Sequence, residues 1–253
     1  MYDTLKTIAV VQARMNSKRL PGKVMLNIIG KPLVWHIYNR LKKSKLVSDV
    51  VVSTGDSENN ELLCKFLENN NIPHFFGDET DLIDRLYQTA KRFNADIIVR
   101  ITGDCPLADP KIIDNLISTF IDSSEQYDIV INNEKHTFPH GLDVEVYSFK
   151  ILEKLWNEIK NPEFREWFTL YFKKNNSNYN VLNIESPENL SSYRWTVDYP
   201  EDFEFVKTIY ENIYTTNPNF LMDDIIKLLK EKPELLKINS KYNGFHNIDA
   251  PKI

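Results

Sequence analysis

Short, continuous apolar runs alternate with helical patterns along the first half of the chain. Three of these runs open with an aspartate followed by β-branched residues, at 49–54, 96–102 and 128–132. Runs without polar alternation predict strands covered on both faces, which is typical of parallel sheets flanked by helices. Because crossovers between parallel strands are right-handed, we expect an α/β fold with a doubly wound, mostly parallel sheet.

The remaining elements are predicted from apolar periodicity and from the positions of proline. We expect one domain over residues 1–253, with an inserted arm at 133–190 in the less regular second half. The further predicted strands lie at 7–11, 73–77, 141–148 and 193–198, and the predicted helices lie at 32–43, 57–70, 82–93, 110–120, 149–159, 162–173, 200–214 and 220–237.

A cluster of four cations follows the first predicted strand, in the stretch QARMNSKRLPGK at 12–23. Ligands of doubly wound sheets bind beyond the carboxyl ends of the strands, where this loop is expected to lie. It lacks the glycine patterns of dinucleotide folds and P-loops. Arginine and lysine side chains match phosphate oxygens, so Arg14, Lys18, Arg19 and Lys23 suit a triphosphate. The alternative is a solvated charged turn.

Two aspartates follow predicted strands that end near the same edge. Asp104 comes two residues after the strand at 96–102, and Asp198 comes directly before Pro200. Two carboxylates and substrate phosphates are a typical ligand set for Mg²⁺. Alternatively, Asp104 is a turn residue and Asp198 is the N-cap of the following helix. Asp109, which precedes Pro110, fits the role of a cap better than Asp104 does.

A second polar group lies in the stretch KHTFPHGLDVEVY at 135–147. Asp143 and Glu145 alternate on one face of the predicted strand, near His136 and His140. Several hydrogen-bond acceptors together are suited to a polyhydroxylated acceptor, whereas a solvated strand edge is the alternative. His36 lies on a largely apolar helix face and is predicted to be packed.

The bulk properties exclude several classes of protein. The net charge of −5 argues against nucleic-acid binding, which needs a basic face. The two cysteines lack metal-binding spacing, and a reducing cytoplasm is the location we expect. No apolar run approaches the roughly 20 residues of a membrane span. The aromatic cluster at 156–172 predicts a core or a dimer contact.

Four stretches together resemble the cytidylyltransferases that activate acidic sugars. These stretches are QARMNSKRLPGK, VRITGDCPLADP, HGLDVEVYS and RWTVDYPEDFE, and the resemblance covers about residues 6–212 in the expected order. The family includes acylneuraminate and 3-deoxy-manno-octulosonate cytidylyltransferases. The resemblance is strongest to the group named after spore coat polysaccharide biosynthesis protein F.

The resemblance implies a nucleotide-diphospho-sugar-transferase-like fold and Mg²⁺-dependent transfer of CMP from CTP to an acceptor oxygen, with release of pyrophosphate. The implied acceptor is a small acidic sugar, and the arm is implied to shape the acceptor pocket and a homodimer contact. The residues carried over are Arg14, Arg19 and Lys23 for the phosphates, Asp104 and Asp198 for the metal, and Gln12, Ala13, Ser53, Thr54 and Thr102 for the cytidine.

One stretch departs from the family pattern. The resemblance leads us to expect an Arg-Glu-His-Val-Thr-like sequence, and REWFT at 165–169 has Trp167 in place of the histidine. We predict that Arg165 and Glu166 contact the acceptor together with His140, Asp143 and Glu145. If the missing histidine contacts the acceptor in relatives, this chain holds a different acceptor or holds it differently.

Two other functions remain open at this point. A glycosyltransferase that uses a nucleotide sugar also has a nucleotide-binding α/β half, but it usually carries a paired-carboxylate DxD motif. GDCP at 103–106 offers a single aspartate. A non-catalytic assembly subunit would have little physical reason to keep both carboxylates and three phosphate-binding cations together.

Overall fold

The computed structural model describes residues 5–56, 58–174 and 178–242. The strands are β1 (Thr7–Gln12), β2 (Asn27–Ile28), β3 (Lys31–Pro32), β4 (Asp49–Thr54), β5 (His74–Phe76), β6 (Ile97–Thr102), β7 (Ile129–Ile131), β8 (Glu145–Ser148) and β9 (Val181–Asn183). The helices are α1 (Leu33–Leu41), α2 (Glu61–Asn69), α3 (Leu82–Arg92), α4 (Pro110–Asp122), α5 (Phe149–Glu158), α6 (Pro162–Glu166), α7 (Phe168–Lys174), α8 (Pro200–Ile213) and α9 (Met222–Glu231).

The central sheet has seven strands in the order β5-β4-β1-β6-β8-β7-β9. Strands β5, β4, β1 and β6 are parallel, whereas β8 runs antiparallel to both β6 and β7. Their order places the carboxyl ends of β1, β4 and β6 side by side. The predicted α/β class with a mostly parallel sheet is therefore confirmed.

Strand β1 shows why its apolar run has no polar alternation. Ile8 and Val10 pack into one hydrophobic core with α3, α5 and α7, while Ala9 and Val11 pack into another with α1, α4 and α8. All four side chains are fully buried. Because successive side chains point to opposite faces of a strand, helices on both faces require apolar residues at every position.

The second half of the chain completes the sheet and covers one face. Segment 133–190 contributes β8 and β9 to the main sheet. Helices α5, α6 and α7 lie between these two strands in the sequence. Trp156 of α5 stacks on Tyr87 of α3, with the ring centroids 4.3 Å apart. Phe168 and Phe172 of α7 are fully buried in the same core. The exact limits of an inserted arm stay a prediction.

The predicted strand at 193–198 was wrong. Among the described residues, this segment makes one isolated bridge, between Arg194 and His140. The reason is that the backbone of this segment makes hydrogen bonds to two different loops. Trp195 N donates to His140 O at 2.7 Å, and Val197 N donates to Asp104 O at 2.8 Å. The chain is extended there but has no single strand as its partner.

Other boundaries are shorter than the sequence predicts. The strand predicted at 141–148 begins only at Glu145, because Gly141 adopts a φ of 108° and turns the chain first. The helix predicted at 57–70 begins at Glu61. Of the described helices, none is both long and apolar enough to cross a lipid bilayer.

Candidate active site

The loop after β1 folds back so that its last lysine points into the protein. Gly22 has a φ of 72°, a left-handed conformation that favours glycine, and its N–H donates to Met15 O at 2.8 Å. A 3-10 turn at Lys23–Met25 follows directly. Because of this turn, Lys23 is the only buried lysine among the described residues.

Lys23 joins the two predicted metal-binding carboxylates. Its Nζ lies 3.0 Å from Asp104 Oδ2 and 2.9 Å from Asp198 Oδ1, and it also donates to Val197 O at 2.8 Å. Burial alone would lower the pKa of Lys23, but the two carboxylates outweigh burial and raise this pKa above its usual value. The fold thus brings Lys23 together with carboxylates that are 81 and 175 positions away in the sequence.

Asp104 is held in place by its own strand end. The Thr102 hydroxyl donates to Asp104 Oδ1 at 2.6 Å. Gly103 between them lies so close to β1 that a Cβ would be 2.7 Å from Gln12 O. Burial tends to raise the pKa of Asp104, but Lys23 and the Thr102 hydroxyl hold it well below its usual range. The carboxylate is therefore ionised at neutral pH.

Asp198 is surrounded by cations. Besides Lys23, Arg19 lies 2.8 Å from Oδ1 and Arg194 lies 3.1 Å from Oδ2. Arg194 is itself held by both carboxylate oxygens of Asp202, at 2.9 Å each. The cap of α8 is supplied by Asp202, which accepts from Tyr199 N, so Asp198 is free of the N-cap role. Asp109 does cap α4, as predicted.

The opposite wall of the site is built around Arg100 and Glu145. Arg100 Nη1 lies 2.8 Å from Glu145 Oε1, and its Nε donates to Gln12 Oε1 at 2.7 Å. Thr169 of α7 donates to Glu145 at 3.0 Å, which links α7 to the sheet. Burial lowers the pKa of Arg100, but Glu145 outweighs burial and raises it.

Asp143 and His140 lie between these two walls. Asp143 Oδ2 accepts from Gly141 N at 3.1 Å, and His136 Nδ1 lies 3.7 Å from Asp143 Oδ1. Burial raises the pKa of Asp143 and lowers that of His140. His140 Nδ1 also lies 3.3 Å from Arg194 Nη1, which connects it to the cluster around Asp198.

Together these side chains line one cavity of about 340 Å³ at the carboxyl edge of the sheet. Trp167 and Leu170 of the arm close it on one side. The predicted site residues that line it are Gln12, Arg14, Arg19, Lys23, Thr102, Asp104, His140, Asp143, Glu145, Glu166 and Asp198.

Four predicted site residues do not line this cavity. Ala13 is buried, and the Ser53 hydroxyl pairs with Thr89 Oγ1 at 2.9 Å, on the side of α3. Thr54 is fully buried. Arg165 instead lies 2.6 Å from Asp81 and donates to two carbonyls at the end of α5. In this conformation, any contact of these four with a ligand would have to use the backbone or require movement.

Three arginines at the site were not predicted from the sequence: Arg85 and Arg100 line the cavity, and Arg194 pairs with Asp198. Arg100 interrupts an otherwise apolar buried strand, and a charge at such a position is expensive unless it is paired. A charged residue within an apolar buried strand could therefore have identified Arg100 as a candidate site residue. Arg194 lies four residues before Asp198 and eight before Asp202, but the extended chain there has no periodicity that would have paired them.

The carboxylates fit a divalent cation by their chemistry. Asp104 and Asp198 each direct one oxygen at a single cation position, which Lys23 Nζ fills at 3.0 and 2.9 Å. Two ionised carboxylates that converge on one cation match the hard oxygen ligands that Mg²⁺ prefers beside substrate phosphates. In the described part of the chain, no group of three or more acidic, histidine or cysteine side chains has metal-binding geometry.

Comparisons with known proteins show which sequences this chain resembles. The sequence model described as Cytidylyltransferase matches residues 8–232. Spore coat polysaccharide biosynthesis protein SpsF of Bacillus subtilis is 28% identical over 232 residues, which are 89% of this chain and 94% of that protein. A 3-deoxy-manno-octulosonate cytidylyltransferase of Geobacter metallireducens is 41% identical over 120 residues, 46% of this chain and 45% of that protein.

Two solved structures of cytidylyl-transferring enzymes share the fold of this chain. A cytidylyltransferase from Leptospira borgpetersenii superposes with a TM-score of 0.88 at 32% identity and covers 96% of this chain and 100% of that one. A CMP:2-keto-3-deoxy-manno-octonic acid synthetase, complexed with CTP, superposes with a TM-score of 0.65 at 21% identity and covers 82% and 99%. The predicted nucleotide-diphospho-sugar-transferase-like fold is therefore confirmed.

Proposed function

The chain belongs to the cytidylyltransferase family, and we propose that it transfers CMP from CTP to an oxygen of a small acidic sugar, with release of pyrophosphate. One observation carries the proposal: the cations of the loop after β1 and the carboxylates that follow β6 and precede α8 meet in one cavity. A triphosphate needs that combination of charges, which a degenerate assembly subunit would not maintain.

The proposed reaction is a direct displacement at phosphorus. The acceptor oxygen forms a bond to the α-phosphorus while the bond to the bridging oxygen of pyrophosphate breaks. The proton of the acceptor hydroxyl passes to the departing pyrophosphate or to water, so atoms and charge balance. Arg14, Arg19 and Lys23 neutralise the negative charge that grows on the leaving group. Positioning and electrostatics lower such a barrier without a covalent intermediate.

Asp104 and Asp198 would hold Mg²⁺ in this proposal. When bound, the ion would neutralise phosphate charge and polarise the α-phosphate toward attack. Lys23 lies where both carboxylates converge, so the triphosphate must draw its ammonium group away from them. Arg194 keeps the Asp198 carboxylate in place through Asp202 while Lys23 moves.

The acceptor is proposed to lie between Asp143 and the arm. Asp143 and His140 offer hydrogen-bond acceptors and donors to sugar hydroxyls, while Glu166, Trp167 and Thr169 bound the cavity on the side of the arm. Arg165 supports this wall by its contact with Asp81 rather than from inside the cavity. A cytoplasmic location and a homodimer stay predictions; sedimentation analysis would test the latter.

Thermal stabilisation by CTP, UTP, ATP, GTP and a UDP-sugar, each with and without Mg²⁺, tests the nucleotide. A ligand at 100 times its dissociation constant adds roughly 2.7 kcal/mol of stability, which is a shift of a few degrees. We expect CTP with Mg²⁺ to give the largest shift. A shift with the UDP-sugar alone would instead indicate a glycosyltransferase, and no shift with any nucleotide would favour an assembly subunit.

Pyrophosphate release then tests the reaction. CTP and Mg²⁺ are incubated with a panel of eight- and nine-carbon acidic sugars, and Asp104→Asn is the matched variant. The variant should lower turnover about 10²-fold, the typical loss of an electrostatic stabiliser, while its circular dichroism is unchanged. Near-normal turnover in the folded variant would exclude Asp104 from the metal site.

A further inference from the structure

Several residues that line the cavity have a buried polar atom with no hydrogen-bond partner within the described residues. Among these atoms are Gln12 Nε2, Glu79 Oε1 and Arg85 Nε. Buried polar groups are nearly always hydrogen-bonded, because an unpaired one loses its water without compensation. Gln12 Nε2 is a donor and Glu79 Oε1 is an acceptor, so a ligand that satisfies both must offer the opposite pattern. Arg85 is held beside Glu79 by its own bonds to Asp78 O and Glu79 O.

The orientation of the Gln12 amide is fixed by Arg100. Arg100 Nε can only donate, and it lies 2.7 Å from Gln12 Oε1, so the oxygen of the amide must be the atom that faces it. Arg100 is in turn held by Glu145 at 2.8 Å and by Thr169 at 3.2 Å. The amide therefore cannot flip without loss of this bond, and Nε2 remains a donor.

The carboxylate of Glu79 is equally constrained. Its Oε2 accepts from Asn60 Nδ2 at 3.1 Å, and Asn60 is fully buried. The side chain packs directly on Gly55, where a Cβ would lie 1.5 Å from Oε2. Its backbone carbonyl accepts from Arg85 Nη1 at 3.2 Å. Glu79 is thus locked beside the carboxyl end of β4 with one oxygen unused.

Glu79 and Asp104 lie on opposite sides of β1. The Glu79 carboxylate lies beside the end of β4 and Asp104 follows β6, and the sheet order places β1 between these strands. Two strand spacings of about 4.8 Å span roughly 10 Å. That distance suits a nucleotide whose phosphates lie near Asp104 and whose base lies toward Glu79.

We propose that Glu79 and Gln12 read the cytosine base, and that Arg100 is the positioning residue that fixes the Gln12 amide. The inference rests on the proposed function, in which CTP is the nucleotide. Glu79 accepts a hydrogen bond from the exocyclic N4 amino group, and Gln12 donates to a ring acceptor, O2 or N3. Uracil carries a carbonyl oxygen in place of the amino group, which a carboxylate repels.

The experiment compares dissociation constants of CTP and UTP, each with Mg²⁺, by titration calorimetry. The wild-type chain should bind CTP more tightly. Glu79→Gln should lower the CTP-to-UTP affinity ratio on the order of tenfold, because an amide can turn its N–H₂ toward O4. Arg100→Lys keeps a cation beside Glu145 but loses the bond to Gln12, so it should lower the ratio by a smaller factor.

Asp78→Asn is the matched control. It removes the same charge one position away, in a side chain whose oxygen already accepts from Thr80 N and Asp81 N at 2.8 Å. Its CTP-to-UTP ratio should equal that of the wild type. Should Glu79→Gln fail to fold, Glu79→Asp keeps the charge but withdraws the carboxylate, and it should lower the ratio mainly through weaker CTP binding.

The outcomes distinguish a failure of the base-reading role of Glu79 and Gln12 from a failure of the proposed function. A wild-type preference for CTP that survives unchanged in folded Glu79→Gln and Glu79→Asp would overturn the base-reading pair and leave the proposed function intact. Equal binding of CTP and UTP by the wild type would overturn both. A ratio that falls as much in Asp78→Asn as in Glu79→Gln would show a general effect of loop charge and would overturn the specific role of Glu79.

Discussion

The phosphate side and the arm side of the same cavity are built in different ways. Lys23 and Asp198 have side chains that are only 10% and 7% exposed, and each has at least three polar contacts. Across the cavity, Arg14 and Glu166 are 39% and 42% exposed and lie 3.4 Å apart. Helix α6, which carries Glu166, has no buried residue. Lys23 and Asp198, which would handle phosphate, are therefore preorganised, whereas α6 and its ion pair with the loop cation Arg14 are exposed.

This difference suggests where the family can vary. A buried charge network tolerates few substitutions, because removal of one partner leaves another charge buried without compensation. An exposed ion pair contributes little to stability and can be exchanged freely. We expect the phosphate side of the cavity to determine the reaction and the arm side to determine which acceptor is bound. The arm side contains Trp167, which departs from the family pattern.

The largest effect should follow from Asp198→Ala. The substitution leaves Lys23, Arg19 and Arg194 without their shared carboxylate, and a broken buried pair typically costs about 3–5 kcal/mol. Urea denaturation measures the free energy of unfolding, with Asp198→Asn as the variant that keeps the shape and one acceptor oxygen. A loss below about 1 kcal/mol for the alanine variant would contradict the preorganised network.

An intermediate effect is expected when the arm is detached from the sheet domain. Arg165→Met removes the ion pair with Asp81 and the bonds to Trp156 O and Ile159 O. The loss of charge-assisted hydrogen bonds should cost about 2 kcal/mol. Hydrogen exchange of backbone amides should speed up in 149–174 and stay unchanged in β1. Equal acceleration in both regions would mean that the arm and the sheet unfold as one unit.

A smaller effect concerns the pH dependence of stability. Burial lowers the pKa of His140, Asp143 opposes this, and Arg194 adds to it. Because the folded-state pKa lies below the unfolded value of about 6.5, the unfolded state takes up more protons on acidification. The contribution of His140 is therefore complete above pH 6.5 and declines as the pH falls below it. Unfolding free energies between pH 5 and 8 should show a shallower decline in His140→Gln than in the wild type.

The smallest effect should come from Glu166→Gln. Its ion pair with Arg14 is exposed, so the free energy of unfolding should change by less than about 1 kcal/mol. CTP binding should be unchanged or slightly tighter, because Arg14 no longer has a competing carboxylate. A destabilisation as large as that of Asp198→Ala would remove the contrast between the two sides of the cavity.

The sequence predicted the phosphate side better than the arm side, for a physical reason. Strands β1 and β6 are parallel neighbours, so their carboxyl ends must meet; Asp104 follows the end of β6 directly, and Lys23 lies in the loop that follows β1. No comparable rule governs side-chain direction in irregular segments. Arg165 was therefore expected at the acceptor, although it lies against Asp81, and the partnership of Arg194 with Asp202 went unseen.

The side chains of β4 illustrate the same limit. Ser53 and Thr54 were placed at the correct strand end, but neither of their side chains lines the cavity. Strand alternation gives two faces, and the sequence of a strand buried on both faces does not distinguish them. The stretch at 193–198 was similarly extended as predicted, but its partners are two loops, which no pattern in the strand itself specifies.

Lys23 gives the cavity a counter-charge that belongs to the protein itself. Its ammonium group lies between Asp104 and Asp198 and balances part of their negative charge. The ligand must then compete with the protein's own counter-ion for both carboxylates. If Asp104 and Asp198 hold Mg²⁺ as proposed, a chelator should arrest turnover while it leaves the melting temperature unchanged, in contrast to proteins whose folding free energy is the binding free energy of their metal.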